Sequence, residues 1–334
     1  MHDLSRIFLS LLPVFAFLAG LIVLDSYKLV KLRSVLAVIA LGLPVALFSM
    51  LVNSSLLNVA SIDLTTYSRY VAPVVEELLK AICVIYLIKT KKVGFLVDAA
   101  IYGFAIGAGF ALVENVYYLS TLESTNLQLW VIRGFGTAVM HGGTTALFGI
   151  ISKNLVERKS SQGMQYFLPA LAFAILTHSA FNHFVLPPLL TTLSLLVFLP
   201  LLIVVVFEKS EKATRKWLGV GFDTDMELLE IITRGKISET RIGQYLESMK
   251  SSFPGEVVAD MLCLLRLHLE LAIRAKGILM MKSTGFEVTP DPEIKEKFQE
   301  LRYLENTIGK TGKLAILPFL HTSARDLWQL YFLD

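Results

Sequence analysis

The residues with chemistry to offer sit where they are most expensive. Glu76, Glu77, Lys80, Asp98, Glu114, Arg133, His141, His178, Asn182 and His183 all fall inside or at the ends of long apolar runs. A charge at the centre of a bilayer costs a few kcal/mol even on the mildest scale, so it needs a partner or a function. Two histidines and a carboxylate suit Zn2+, and a catalytic zinc site keeps three protein ligands and one open position. Glu114, His141 and His178 would supply that set. Glu76 or Glu77 would then act as general base on the attacking water. The two lie about 100° apart on a helix, so at most one points straight at a shared site. Lys80, one turn further on, would orient or neutralise one of them. Asn182 follows His178 by one turn, and an amide there could donate to an oxyanion. Structural readings stand beside these. An intramembrane His can simply bond a neighbouring helix, and a Glu–Lys pair can satisfy itself. Asp98 and Arg133 lie near span ends, where side chains reach the interface.

These residues need helices in a membrane to hold them. Of the 334 residues only 18% are charged and 54% are hydrophobic, against about a quarter charged in soluble chains. The mean hydropathy is +0.61. A span needs roughly 20 apolar residues, and about seven such runs occur. They centre on 7–24, 35–51, 71–88, 93–119, 130–151, 167–186 and 189–207. The first could pass for a signal peptide, but its positive charges follow it, so an uncleaved span is expected.

Loop charges orient the spans. Lys28, Lys31 and Arg33 fill the first loop, Lys89, Lys91 and Lys92 the third, and Lys153, Arg158 and Lys159 the fifth. Lys209, Lys212, Arg215 and Lys216 open the tail, whereas the second loop has only Arg69 and the fourth no Lys or Arg. The positive-inside rule puts the N-terminus outside and the C-terminus inside. Glu76 and Glu114 then lie roughly 8 Å below the outer ends of their spans, His178 about 12 Å and His141 on the order of 16 Å. Four groups from four helices share one layer in the outer half of the membrane.

The expected fold is therefore all-α. A polytopic membrane helical bundle over residues 1–207 precedes a cytoplasmic helical domain over 208–334. In the tail, helices are expected over 225–233, 239–251, 256–281, 292–307 and 314–333, punctuated by Pro254, Gly285, Pro290, Pro292 and Gly312. His268 and His321 read as ordinary helix-face residues. This region has no motif and is available for gating, dimerisation or a regulator. The net charge of +3 argues against a nucleic-acid partner. Cys83 and Cys263 lie too far apart in character for a disulfide framework or a thiolate metal site.

Glu76-Glu77-Leu78-Leu79-Lys80 fits EExxK and Phe110-Ala111-Leu112-Val113-Glu114 fits FxxxE, with His141 and His178 on later spans. In that order, over roughly residues 71–185, they resemble the PrsW-type intramembrane proteases. That family is related to the CAAX prenyl protease and bacteriocin-processing group. In the wider group the first motif has Arg where this chain has Lys80, and the second ends in His where this chain has Glu114. His178-Ser179-Ala180-Phe181-Asn182 matches its HxxxN. The resemblance implies hydrolysis of peptide bonds in membrane-anchored proteins, such as anti-sigma factors, in the bacterial inner membrane. It implies a zinc metalloprotease, or a metal-free glutamate protease as argued for the prenyl protease. The rival readings are an ion- or proton-coupled transporter using the same Glu/His cluster, and a seven-helix receptor.

Overall fold

The computed structural model describes residues 2–23, 25, 30–121, 127–159, 163–183, 185–286, 288 and 291–320. Every regular element among the described residues is helical. The chain divides into two compact units, Met1–Ser210 and Glu211–Asp334.

Each apolar run carries a helix: α1 His2–Val23, α2 Leu32–Val59, α3 Ala72–Lys89, α4 Leu96–Thr121, α5 Ala138–Lys159, α6 Leu168–Asn182 and α7 Pro188–Thr233. Among the described residues four stretches, Leu32–Val59, Leu96–Thr121, Met164–Asn182 and Pro188–Thr233, are long and apolar enough by themselves to cross a membrane. α3 and α5 are set apart from these for a chemical reason: α3 carries the charges Glu76, Glu77, Lys80 and Lys89, and α5 is less apolar, with His141 and its Thr and Gly neighbours.

α4 is the hub. Of its most apolar stretch 72% is buried in protein, against 17% for that of α7, whose Phe198, Leu201 and Val205 remain exposed. Glycine lets the neighbours of α4 approach. A Cβ on Gly107 would lie 2.2 Å from the His141 carbonyl oxygen, and one on Gly103 2.6 Å from that of Thr145. On another face a Cβ on Gly109 would lie 2.1 Å from the Ile39 oxygen of α2. With no hydrophobic drive between helices in lipid, such small-residue contacts are what brings spans together.

Helix ends are satisfied locally. Asp98, expected to reach the interface, is instead buried and accepts from the backbone N–H groups of Gly94 and Phe95, both at 2.9 Å. It caps the start of α4. α3 ends with Lys91 at φ 59°, and Lys92 N–H and Lys91 N–H donate back to the Leu87 and Ile88 carbonyls, a Schellman stop. Two π-helical segments, Tyr67–Val71 and Ile132–Thr137, lead into α3 and α5.

In the second unit, α8 is Arg241–Met249, α9 Gly255–Ser283 and α10 Glu293–Ile316. The helix expected over 225–233 is the end of α7, which runs on without a break from the apolar run. Leu264, Leu267 and Leu271 of α9 meet Phe298, Leu301, Leu304 and Ile308 of α10 in a separate apolar core. The break expected at Gly312 falls at Gly309, whose φ of 66° is open to glycine. Gly312 is buried against Met261 and Ile308. His268 is buried in α9. His321 and most of the helix expected over 314–333 lie outside the described residues.

Candidate active site

The polar residues of α3, α4, α5 and α6 converge on one point of the first unit. Glu77 and Lys80 are fully buried, with Lys80 Nζ donating to Glu77 Oε1 at 2.6 Å. The same oxygen accepts from His178 Nδ1 at 2.7 Å and from the Thr144 hydroxyl at 3.4 Å. Lys80 Nζ also lies 3.1 Å from His141 Nδ1, while His141 Nε2 meets Glu114 Oε2 at 2.8 Å. A charged Lys80 makes His141 Nδ1 an acceptor, so its Nε2–H donates to Glu114. In the same way His178 donates through Nδ1–H and keeps its Nε2 lone pair. Each histidine is thus bonded to a carboxylate through one nitrogen, His178 keeping the other free and His141 sharing it with Lys80. Second-shell carboxylates orient metal-binding imidazoles in this manner.

Glu76 is the carboxylate left over. Its Oε2 lies 3.9 Å from His178 Nε2, too far for a hydrogen bond, and its side chain keeps 16% exposure. It lines a cavity of about 450 Å³ together with Glu114, Arg133, His141, His178 and Asn182. Glu77 and Lys80 do not line that cavity but stand behind it. The adjacent glutamates, which spacing could not rank, therefore have separate surroundings: one inward in an ion pair, one facing open space.

Glu76, His141 and His178 each offer a ligand atom, all within 4.8 Å of one another. Two imidazoles and a carboxylate match the donor chemistry of a zinc site. Glu114, expected as the third ligand, is instead held between His141 and Arg133, whose Nη2 donates to Glu114 Oε1 at 2.9 Å.

Residues 31–206 match the family model of PrsW family intramembrane metalloproteases. The chain belongs to this family. It is also 35% identical over 126 residues, 36% of its own length, to Protease PrsW of Clostridioides difficile (strain 630). The chain spans about half the length of that curated relative, 52%. No solved structure matches. Membership in the PrsW family and the long apolar helices make the chain an integral membrane protein.

Around this PrsW site Asn182 was expected from the sequence, whereas Asn53, Tyr67, Arg133 and Ser179 were not legible as site residues. Arg133, expected to reach the interface, lies over the Tyr118 ring at 3.5 Å and grips Glu114. Asn53 of α2 donates to Glu76 Oε1 at 3.2 Å, and the Tyr67 hydroxyl donates to Asn53 Oδ1 at 2.9 Å. The Asn182 amide donates to the Ser68 carbonyl at 2.8 Å and the Ser179 hydroxyl to that of Arg69 at 2.6 Å. Both carbonyls belong to the first π segment, which lacks the regular α-helical pattern. Isolated polar residues of that kind carry no spacing signal. Only the two π segments, a feature that recurs at functional sites, mark them, and those appear with the fold.

Proposed function

We propose that this chain is an intramembrane endopeptidase that hydrolyses peptide bonds of membrane-anchored, anti-sigma-factor-like proteins near the outer leaflet. The observation that carries the proposal is the pair of carboxylate-aimed histidines facing Glu76 across a cavity. Glu76 Oε2 takes a proton from the water that attacks the scissile carbonyl carbon. That proton passes to the leaving amine as the C–N bond breaks. Glu77, held by Lys80, keeps His178 in place, and Glu114 does the same for His141. The second amide N–H of Asn182 is the donor available to the carbonyl oxygen as it gains charge. In a zinc form Glu76, His141 and His178 would hold Zn2+, Glu76 then serving as a ligand in place of its role as base, and the ion when bound would supply Lewis-acid polarisation of that carbonyl.

One observation favours a second reading, a metal-free glutamate protease. The lone pair of His141 Nδ1 is already occupied by the Lys80 ammonium, so an ion on that nitrogen and the Lys80 contact exclude each other. Metal content of the purified full chain, with cleavage of a single-span reporter before and after chelation, separates the two. Loss on chelation with recovery on added Zn2+ supports the zinc enzyme, and unchanged cleavage supports the metal-free one. Glu76→Gln lowers cleavage in either, and in the metal-free enzyme by roughly 10²- to 10⁴-fold, the usual worth of a general base. Wild-type cleavage by folded His178→Ala protein removes the site assignment. No observation favours a transporter. Residues 208–334 are proposed as a cytoplasmic helical domain that gates or couples the protease.

A further inference from the structure

Catalysis by Glu76 requires one of its two oxygens to be held and the other free. We infer that Asn53, itself aimed by Tyr67, is the positioning residue that holds Glu76 Oε1 and leaves Oε2 toward the histidines. This inference rests on Glu76 being the base.

Asn53 is on α2, outside the EExxK, FxxxE and histidine positions. Its Nδ2 donates to Glu76 Oε1 at 3.2 Å and to the Ser49 hydroxyl at 3.3 Å. Which end of the Asn53 amide faces Glu76 is set by Tyr67, whose hydroxyl donates to Oδ1 at 2.9 Å. A carboxylate cannot donate, so the amide reversed would set oxygen against oxygen at one end. Tyr67 in turn is buried at the first residue of the π segment, and the next two carbonyls of that segment are gripped by Asn182 and Ser179 of α6. Asn182 is one turn after His178. A single set of hydrogen bonds thus runs from the histidine helix through the π turn to the Glu76 carboxylate. It fixes the base relative to His178, which shares no direct bond with it. In a site with little water a hydrogen bond to a carboxylate is stronger than in solution, and its geometry is harder to lose.

The test uses the full-length chain in lipid nanodiscs, with two readouts. The first is the infrared carboxylate stretch of 13C-labelled glutamate, in which the Glu76 band is identified by its loss in Glu76→Gln. Asn53→Ala shifts that band, and Tyr67→Phe shifts it less. A merely structural role leaves the band in place. The second is cleavage of a single-span reporter that the wild type cuts. Asn53→Ala lowers kcat by roughly 10- to 100-fold, the range carried by a hydrogen bond to a charged group, with KM little changed. Asn53→Asp keeps the shape, removes the donor and sets a second carboxylate against Glu76, so it loses at least as much. An unmoved Glu76 band in Asn53→Ala, or wild-type kcat in Asn53→Ala and Asn53→Asp, overturns the inference. Wild-type kcat in Glu76→Gln overturns instead the reading on which it rests.

Discussion

Glu77 and Lys80 show what a buried charge needs. Neither reaches water, and each is answered: the ammonium by Glu77 and His141, the carboxylate by Lys80, His178 and Thr144. Removing one member of such a pair strands the other, which costs about 3–5 kcal/mol, whereas replacing both by neutral groups is far milder. Lys80→Met is therefore expected to lower unfolding stability by about that amount. The double variant Lys80→Met with Glu77→Gln should recover most of it, although cleavage stays lost. Thermal unfolding of the four proteins in the cycle checks this, and additive losses would show that the pair is not coupled.

Among the helices, α4 decides where the histidine of α5 stands. Gly107 touches the His141 backbone, so the register of the two helices is also the register of the site. Gly107→Ala places a methyl carbon where the 2.2 Å separation allows none. Helix α5 must move, at a cost of about 1–3 kcal/mol for overpacking. His141 moves with it, and cleavage should fall further than stability alone explains. Gly219→Ala is the control, since a Cβ there meets nothing within 4 Å. It should be neutral or stabilise its helix by up to about 1 kcal/mol. Thermal unfolding and reporter cleavage of both variants check the contrast. Which helix Gly103 and Gly107 receive is decided by the tertiary structure.

Across the whole molecule, the two units are stabilised by different physics. The first packs apolar helices through glycine and polar contacts. The second has its own apolar core, and α10 is tied to α9 by Lys297 and Glu270, with Arg266 on the other side. Burial pushes the Glu270 carboxyl up, but hydrogen bonds from Lys297 and Arg266 outweigh it and hold the group below its usual range. A folded pKa below the unfolded one means the stabilisation is present above the unfolded value, about 4.3. It is lost as pH falls through the folded value. Amide protection along α9 and α10 in the full chain, taken relative to intrinsic exchange at each pH, should therefore fall on acidification below about pH 4, and Glu270→Gln should flatten that dependence. An identical acid response in the variant would assign it to other carboxylates.

The apolar runs and their loop charges determined, from sequence alone, an all-helical membrane bundle with a polar helical tail. Hydropathy is a local property, so the positions of all seven apolar helices could be read from it. Expense marked the site as well: Glu76, Glu77, Lys80, Glu114, His141 and His178 stood out because lipid tolerates few such residues, and they meet in the fold. Tertiary structure alone decided their partners. Glu76 faces the cavity and Glu77 the ion pair because α5 and α6 supply Thr144 and His178 on one side only. Glu114 is drawn to Arg133 and His141, while Glu76 Oε2 stays 3.9 Å from His178 Nε2 without a hydrogen bond to it. Asn53 and Tyr67 join from α2 and a π turn, through contacts between elements that no spacing along the chain encodes. What could be read in advance was which residues lipid would not accept unaided; which partner each one takes depends on how the helices cross.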